Sequence, residues 1–193
     1  RLEFERERLL DSSSCGDERR SFPSIAAKPT EVPRKREAVG WDLNSSEGVT
    51  DFLAHSHFFE QIDGRFLSWL ADQSHVEQVA AGGVVFRKDR VADRLYLLVN
   101  GRIGFAGDEE YETNGLMLRT LSGAGEALGW SAIVDPRRYR DTCVALESTR
   151  LLSLPNLSLE RLCEQEPAFG VALFRRVLQL IGSRLRAIRV GMV

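Results

Sequence analysis

Cysteine is scarce in this chain, and its few copies are widely spaced. There are 3 cysteines, Cys15, Cys143 and Cys163, and no two of them form a CxxC pair. An odd number of scattered cysteines does not fit a disulfide framework and is typical of reduced thiols in the cytoplasm. Zinc sites need closely spaced Cys and His ligands, which the sequence does not supply. We therefore expect no disulfide, no metal site and a cytoplasmic location.

The sequence also lacks a long apolar run and an excess of either charge. No stretch approaches the roughly 20 apolar residues that cross a bilayer, and the opening RLEFERERLL is charged where a signal peptide is apolar. The formal net charge is −2 and the pI is about 6.0, so the overall field does not favour nucleic acid or an acidic membrane surface. We expect a soluble chain that does not span a membrane or bind nucleic acid by itself.

What is present suffices for one domain. The chain has 193 residues, of which 43% are hydrophobic, which is enough for one core and leaves little room for two. Residues 1–48 mix both charge signs with serine, hold 3 of the 6 prolines and have few bulky apolar residues, so they cannot offset the entropy cost of ordering. The prediction is a mobile or disordered arm over 1–48 and a folded domain over 49–193. Because the chain begins with Arg1, we expect a fragment or a processed product.

Apolar spacing predicts helices at both ends of the folded part. From Val49 onward, apolar residues recur every three or four positions with one break at Asp63, which predicts two short amphipathic helices. Near the C-terminus the helical spacing returns in NLSLERLCEQE, with Asn156 or Ser158 as the cap. A longer helix follows, and Pro167 opens its first turn.

Between these helices the pattern is that of many short strands. Short apolar runs follow one another from His75 to Leu154, and more than half of the 16 glycines fall among them. Two pairs, Gly82-Gly83 and Asn100-Gly101, stand where hairpins need a positive φ. Short strands with glycine turns are typical of antiparallel sandwiches and barrels. The predicted fold is mainly β with flanking helices: an antiparallel, jelly-roll-like β-roll between N-terminal helices and a long C-terminal helix.

Three stretches of the sequence match a known family in their order and content. The run AAGGVVFRKDRVADRLYLLVNGRIGFAG, followed by GEALGWSAIV and TCVALESTRLLSLP, resembles the cyclic nucleotide-binding domain of catabolite-activator type regulators, the Crp/Fnr-like effector domain. The resemblance covers residues from about 50 to 190. It implies a roll of about eight strands under a helical lid, with a short helix that receives the nucleotide phosphate. One turn departs from the family's pattern, because it has Asp89 where a glycine is usual. Since Asp tolerates the left-handed conformation, the turn can still form.

The segment GEALG, residues 125–129, is the predicted ligand-binding segment. It is expected to end a strand and begin a short helix whose backbone N–H groups attract an anion. By the resemblance, Glu126 accepts a hydrogen bond from a ribose 2′-hydroxyl, a role that suits an acceptor-only carboxylate. The candidate ligand is cyclic AMP or another small anion, with no resident cofactor and no catalytic residue. The candidate ligand-binding residues are Gly125, Glu126, Ala127, Leu128, Trp130 and Arg140.

The arginine that the resembled family pairs with the phosphate is displaced in this chain. Aligned on the strand that follows, Tyr139 stands at the arginine position and Arg140 where a small hydroxyl residue is expected. Two hypotheses remain open. Either the loop re-registers so that Arg140 reaches the phosphate site while Arg137 and Arg138 stay solvated, or Trp130 fills the pocket and the roll has lost or changed its nucleotide.

The last helix is predicted to join two copies of the chain. Its apolar residues form a heptad seam beside a wider apolar face, and the face is expected to pack on the roll. In the resembled regulators the equivalent helix makes the dimer, so a homodimer is the expected state. The alternative is that the whole helix packs inside one chain. The seam is Phe174, Leu178, Ile181, Leu185 and Ile188, and the face is Phe169, Leu173 and Val177.

Together these features predict a non-enzymatic regulatory module. It would sense a cyclic nucleotide or another small anionic ligand and transmit occupancy through its C-terminal helix, because the ligand binds one arrangement of that helix better than another. Two alternatives stay open. One is a degenerate, non-binding roll that serves as a protein-interaction scaffold, and the other is the sensor half of a truncated transcription regulator.

Overall fold

A computed structural model describes residues 40–107 and 119–190 of the chain, with the side chains of 184 and 186–190 excepted. Two helices come first, α1 (Ser46–His55) and α2 (Gly64–Gln73). Two more close the described chain, α3 (Asn156–Gln165) and α4 (Pro167–Val190). The strands between them are β1 (His75–Val79), β2 (Val84–Phe86), β3 (Arg94–Asn100), β4 (Ile103–Ala106), β5 (Arg119–Leu121), β6 (Ala127–Leu128), β7 (Thr142–Ala145) and β8 (Thr149–Pro155).

The described strands form two four-stranded sheets. One has the order β1-β8-β3-β6 and the other β2-β7-β4-β5, and every pair of neighbours is antiparallel. Side chains of both sheets meet in one buried cluster, which includes Tyr96 and Leu151 from the first sheet and Phe105 and Cys143 from the second. Burial of Cys143 also raises the pKa of its thiol. The predicted antiparallel β-roll with flanking helices is confirmed.

Strand β3 has a buried cluster on each of its faces. Tyr96 and Leu98 point into the roll, whereas Leu95, Leu97 and Val99 belong to a second cluster under the helices. Successive side chains of a strand point to opposite faces, so a strand covered on both sides is apolar throughout. This is why the sequence RLYLLV reads as a continuous apolar run.

The helices cover the outer face of the first sheet. The second cluster joins residues of all four helices to β3 and β8. Helix α1 ends at His55, earlier than the predicted break. Asp63 begins α2, because its side chain accepts a hydrogen bond from the Arg65 N–H at 3.0 Å and caps that helix. The two predicted N-terminal helices are confirmed, and all the apolar residues that predicted them are buried: Phe52, Leu53, Phe58, Phe59, Ile62, Phe66, Leu67 and Leu70.

The packed chain begins before residue 49. Trp41 lies edge-on to Phe52, with ring centroids 5.5 Å apart, and Leu43 is buried in the helical cluster. The predicted arm therefore has its C-terminal part, residues 41–48, in contact with the domain, because two large apolar side chains in a polar stretch are enough to hold it there. Residues 1–39 lie outside the described residues.

The turns and caps agree with the sequence in part. Gly82 and Gly101 adopt φ angles of 79° and 99°, and Asp89 takes a φ of 61°, as predicted. The predicted cap of α3 is wrong, because the helix leaves β8 directly at Pro155 and no side chain caps it. Pro167 opens α4 as predicted. Within residues 40–107 and 119–190 no helix is both long and apolar enough to cross a membrane.

Two glycines with positive φ offer a matched test of the packing at one hairpin. A Cβ added at Gly101 would lie 2.5 Å from the Thr149 Oγ1 and 2.7 Å from its Cα, whereas a Cβ at Gly82 would meet nothing within 4 Å. We expect Gly82→Ala to lower the free energy of unfolding by about 1–2 kcal/mol for the left-handed backbone alone. Gly101→Ala should cost roughly 1–3 kcal/mol more, because Thr149 must move. Chemical denaturation of both variants checks this, and equal losses would contradict it.

Candidate functional site

An open cleft lies where the roll meets the C-terminal helix. Its volume is about 530 Å³. The roll contributes Arg119 and Leu121 from β5, together with the segment 125–127, and α4 contributes residues from Arg176 to Ser183. The turn that follows α1 closes one side with His57 and Phe58. A small molecule in this cleft would contact the roll and α4 at the same time.

The structure brings half of the predicted ligand-binding residues to this cleft. Gly125, Glu126 and Ala127 line it. Leu128 does not, because it is 1% exposed and points into the inner cluster. Trp130 and Arg140 also lie outside the lining. Whether the three residues at the cleft bind a ligand stays a prediction.

Main-chain pairing fixes the predicted segment and uses its N–H groups. The Gly125 N–H donates to the Leu98 carbonyl at 2.8 Å, and the Glu126 N–H donates to the Gly123 carbonyl at 3.2 Å. Gly125 has a φ of 80° and lies so close to α1's end that a Cβ there would be 2.8 Å from the Ser56 Cα. The N–H groups of Gly125 and Glu126 are therefore bonded within the roll before any ligand arrives, and an anion at the N–H groups of the short helix that follows stays a prediction.

The Glu126 carboxylate is partly engaged by its own loop. Its Oε2 accepts hydrogen bonds from the Gly123 N–H at 2.7 Å and from the Ser122 N–H at 3.2 Å. A carboxylate has about four lone-pair sites, so these two bonds leave capacity for another donor. The Oε1 atom has no hydrogen bond to a described residue, and Glu126 can therefore still accept a bond from a ligand hydroxyl.

Tyr139, at the position of the expected arginine, is a core residue. Its side chain is 3% exposed, and its ring stacks on Phe86 with centroids 3.9 Å apart and an interplanar angle of 11°. Its hydroxyl donates to the Arg94 carbonyl at 3.1 Å, and burial raises the pKa of the phenol. The adjacent Arg140 is exposed. The hypothesis that the loop re-registers to bring Arg140 to the cleft is therefore wrong, because Tyr139 anchors the loop in the core.

The other two arginines of this loop hold it in place. Arg137 forms ion pairs with Asp135, at 3.4 Å from Nε, and with Glu160 on α3. Arg138 donates from Nη1 to the Asp89 carbonyl at 2.6 Å. The prediction of a solvated charge is wrong for Arg137, which is paired with α3, whereas Arg138 is exposed as predicted and also bonds to the turn at Asp89.

Trp130 does not fill the cleft. It begins a short 3₁₀ turn, Trp130–Ala132, that follows Gly129, whose φ is 73°. Its partly buried side chain packs against the helical cluster. The hypothesis of a pocket filled by Trp130 is therefore wrong, because the ring turns to the helices and the cleft stays open.

Two arginines at the cleft were missed by the sequence reasoning. Arg119 lies on β5 with its guanidinium carbon 3.9 Å from the centroid of the Phe105 ring, and burial lowers its pKa. Arg176, on α4, donates from Nε to the Glu60 carbonyl at 2.8 Å and from Nη1 to the Gln179 Oε1 at 2.9 Å. The available signal for Arg119 was a cation inside the strand-like run LMLRTL. Nothing in the sequence separates Arg176 from its arginine neighbours.

Helix α4 has one buried face and one exposed apolar stripe. Its packing face is buried as predicted, with Phe169, Leu173 and Val177 at 0–2% exposure. Phe174, Leu178 and Leu185 are 48%, 69% and 59% exposed, and Ile181 is partly buried. Residue 188 lies where side chains are not described. We name the exposed residues Phe174, Leu178 and Leu185 the α4 stripe.

Fold and cleft together define a β-roll with a helical cover and a ligand-sized opening between the two. Residues 76–166 match the family model of the cyclic nucleotide-binding domain. The match covers 91 of the 193 residues, and the β-roll of the structure agrees with it.

Known structures and proteins of several kinds are similar to this chain. A putative cyclic nucleotide-binding protein from Geobacter metallireducens has a TM-score of 0.62 at 22% identity, over 70% of this chain and 97% of that one. The regulatory domain of Toxoplasma gondii PKA, crystallised with cAMP, has a TM-score of 0.59 at 17% identity, over 73% of this chain and 51% of that one. At these identities the likeness establishes the fold. Lysophospholipase NTE1 of Mycosarcoma maydis is 25% identical over 109 residues, which are 56% of this chain and only 6% of that protein.

Restoring the missing arginine tests the placement of Tyr139. We expect Tyr139→Arg to lower the free energy of unfolding by about 3 kcal/mol or more, because the variant puts an unpaired charge beside Phe86 in the core. Arg140→Ala, one residue away and exposed, should change it by less than about 0.5 kcal/mol. Denaturation curves measure both. A Tyr139→Arg variant as stable as the wild type would show that this side chain is not part of the core.

Proposed function

We propose that this domain is a non-enzymatic regulatory module that binds a small anionic ligand in the cleft and transmits occupancy through α4. The observation that carries the proposal is the composition of the cleft, which joins the Glu126 segment of the roll to residues 176–183 of α4. A ligand shifts an equilibrium only by its difference in affinity for the two states. A ligand that touches both the roll and α4 would bind two positions of α4 with different affinity, because its contacts change when α4 moves relative to the roll.

The contacts of α4 with the roll support a helix that can respond. Along the part that borders the cleft, Arg176 ties α4 to the turn after α1 through the Glu60 carbonyl. Leu180 and Ser183 line the cleft itself. The first half of α4 is held by fully buried residues such as Leu173, whereas Leu180 is only partly buried and Ser183 is exposed, and segments with fewer buried contacts move at lower cost. Ligand contacts at the cleft would therefore bias this half of the helix first.

Cyclic nucleotides are the first ligands to test. The family match and the cAMP-bound relative support them, and the Glu126 Oε1 suits a ribose hydroxyl. Against cyclic AMP itself stands Tyr139, which replaces the expected arginine and is turned away from the cleft. We therefore include other small anions in the proposal.

Calorimetry with a matched pair of carboxylate variants tests the ligand. We expect cyclic AMP or cyclic GMP to bind the wild type. Glu126→Gln should weaken binding about tenfold or more, because an amide has one acceptor oxygen where a carboxylate has two, and it carries no charge. Glu147→Gln, exposed and outside the cleft, should bind as the wild type does. If neither nucleotide gives heat at millimolar concentration, cyclic nucleotides are excluded as ligands. That result would favour the second function, a non-binding scaffold, which the absence of an arginine at position 139 supports.

We further propose that the α4 stripe pairs with the same stripe of a second copy. Phe174, Leu178 and Leu185 are spaced by four and seven residues, the spacing of a coiled-coil seam, and they are exposed although they are large and apolar. An apolar stripe of this spacing is self-complementary about a two-fold axis. The homodimer expected from the sequence would use this surface.

A charge on the stripe should separate the two copies without unfolding either. We expect Leu178→Glu to convert a dimer to a monomer, because pairing would bury the unpaired carboxylate, while the melting temperature of the separated chain is preserved. Leu157→Glu, 63% exposed on α3 and outside the stripe, is the control that should stay dimeric. Light scattering at tens of micromolar decides the point, and a monomeric wild type would contradict the proposal.

The output of the module depends on what it is attached to. The chain spans 6–7% of the length of the curated lysophospholipases that it matches, so their activity is not carried over to this domain. The sensor half of a transcription regulator remains the other possible setting. In either setting we propose a cytoplasmic domain whose α4 carries the signal onward.

A further inference from the structure

We propose that Arg119 on β5 binds the acid group of the ligand, in place of the arginine that the loop after Pro136 does not supply. This inference rests on the proposed ligand-binding function. Arg119 lines the cleft and stands directly opposite Phe105 in the pairing of β5 with β4. Its guanidinium carbon lies 3.9 Å from the centre of the Phe105 ring. Stacking on a ring fixes the plane of a guanidinium and leaves its N–H edges available for an anion.

The charge of Arg119 is not neutralised by a contact within the described residues. It forms no ion pair or hydrogen bond there, although it is partly buried. Asp141 and Glu126 act on it only through their fields, and they oppose the effect of burial on its pKa. The Glu126 Oε2 is already bonded to the Ser122 and Gly123 N–H groups. A partly dry cation without a direct partner is the complement of an anionic ligand.

The other arginine of the cleft, and those of the loop after Pro136, have partners or lie elsewhere. Arg176 is bound to the Glu60 carbonyl and the Gln179 side chain. Arg137 pairs with Asp135 and Glu160, and Arg138 with the Asp89 carbonyl. Arg140 lies outside the cleft. Among the described residues, Arg119 is therefore the guanidinium that an anion in the cleft can reach without breaking an existing contact.

The surroundings of Arg119 define the class of ligand. Its planar donor edge matches two oxygens of one acid group, either a phosphate or a carboxylate. The rest of the cleft is mixed. Phe58, Leu121 and Leu180 are apolar, Gln179 and Ser183 on α4 are polar, and His57, Glu126 and Arg176 complete its ionisable side chains. The ligand is thus a small organic anion whose acid group lies at β5 and whose body reaches α4.

The test uses three probes and one matched pair of variants. Cyclic AMP supplies an organic phosphate, benzoate a carboxylate with an apolar body, and adenosine the same base and sugar without charge. We expect cyclic AMP or benzoate to bind the wild type in calorimetry and adenosine to bind much more weakly. Arg119→Met keeps an unbranched apolar side chain beside Phe105 but removes the guanidinium and its charge, and should weaken binding roughly 10- to 100-fold. Arg140→Met, the same change at an exposed arginine outside the cleft, should have no effect.

Each contrary outcome separates this inference from the proposed function. If an anionic probe binds Arg119→Met as it binds the wild type, or if adenosine binds as tightly as cyclic AMP, Arg119 is not the anchor while the cleft remains a binding site. If no probe binds the wild type at millimolar concentration, both proposals fall. Should Arg119→Met not fold, Arg119→Lys decides, because a point charge without the guanidinium fork should bind about tenfold more weakly, and unchanged binding would overturn the inference.

Discussion

The pairing of β6 with β3 is the interaction on which the site depends. Tyr96 and Leu97 lie opposite Leu128 and Ala127, and this short contact places the segment before β6 at the rim of the roll. Because β3 is buried on both faces and also paired with β8, it cannot shift without disturbing both clusters. The cleft therefore has a rigid wall on the side of the roll. A ligand that moved any element of the cleft would move α4 or the turn after α1, which form its other sides.

That rigidity has a chemical consequence. The N–H groups of Gly125 and Glu126 are used in the roll, so the wall offers an anion little attraction through its backbone there. The loop after Pro136 does not compensate, because Tyr139 carries it into the core. Positive charge at the cleft comes instead from side chains on β5 and α4. The same fold can thus keep the opening of a ligand site while its charged contacts come from different strands.

Much of the fold could be predicted from the sequence, because its signals are local. The helical spacing around Phe52, the glycine at 101 and the proline at 167 each reflect the conformation of their own neighbourhood. Strand β6 was harder to place, since two residues are too few to show a period of two. The cap of α3 was wrong because β8 continues into the helix without a turn, which local rules for caps do not anticipate.

The site was less predictable, because its residues meet only through tertiary contacts. Arg119 and Arg176 are 57 positions apart in the chain and line one cleft. An alignment by strands placed Tyr139 at the position of the family's arginine, but no sequence rule says that a tyrosine there stacks on Phe86 and not on a ligand. Pairing of this kind depends on distances between strands that only the folded chain defines.

Helix α4 connects the cleft to the surface of the molecule. Its buried face at Leu173 holds it on the roll, and its exposed residue Leu178 lies one turn further along the chain, beside Gln179, which lines the cleft. A rotation of the second half of the helix would therefore change the cleft lining and the α4 stripe together, because the two sets alternate along the same turns. If the cleft binds a ligand and the α4 stripe pairs two copies, as proposed above, the two events would be linked through α4, and each would alter the affinity of the other by the same factor.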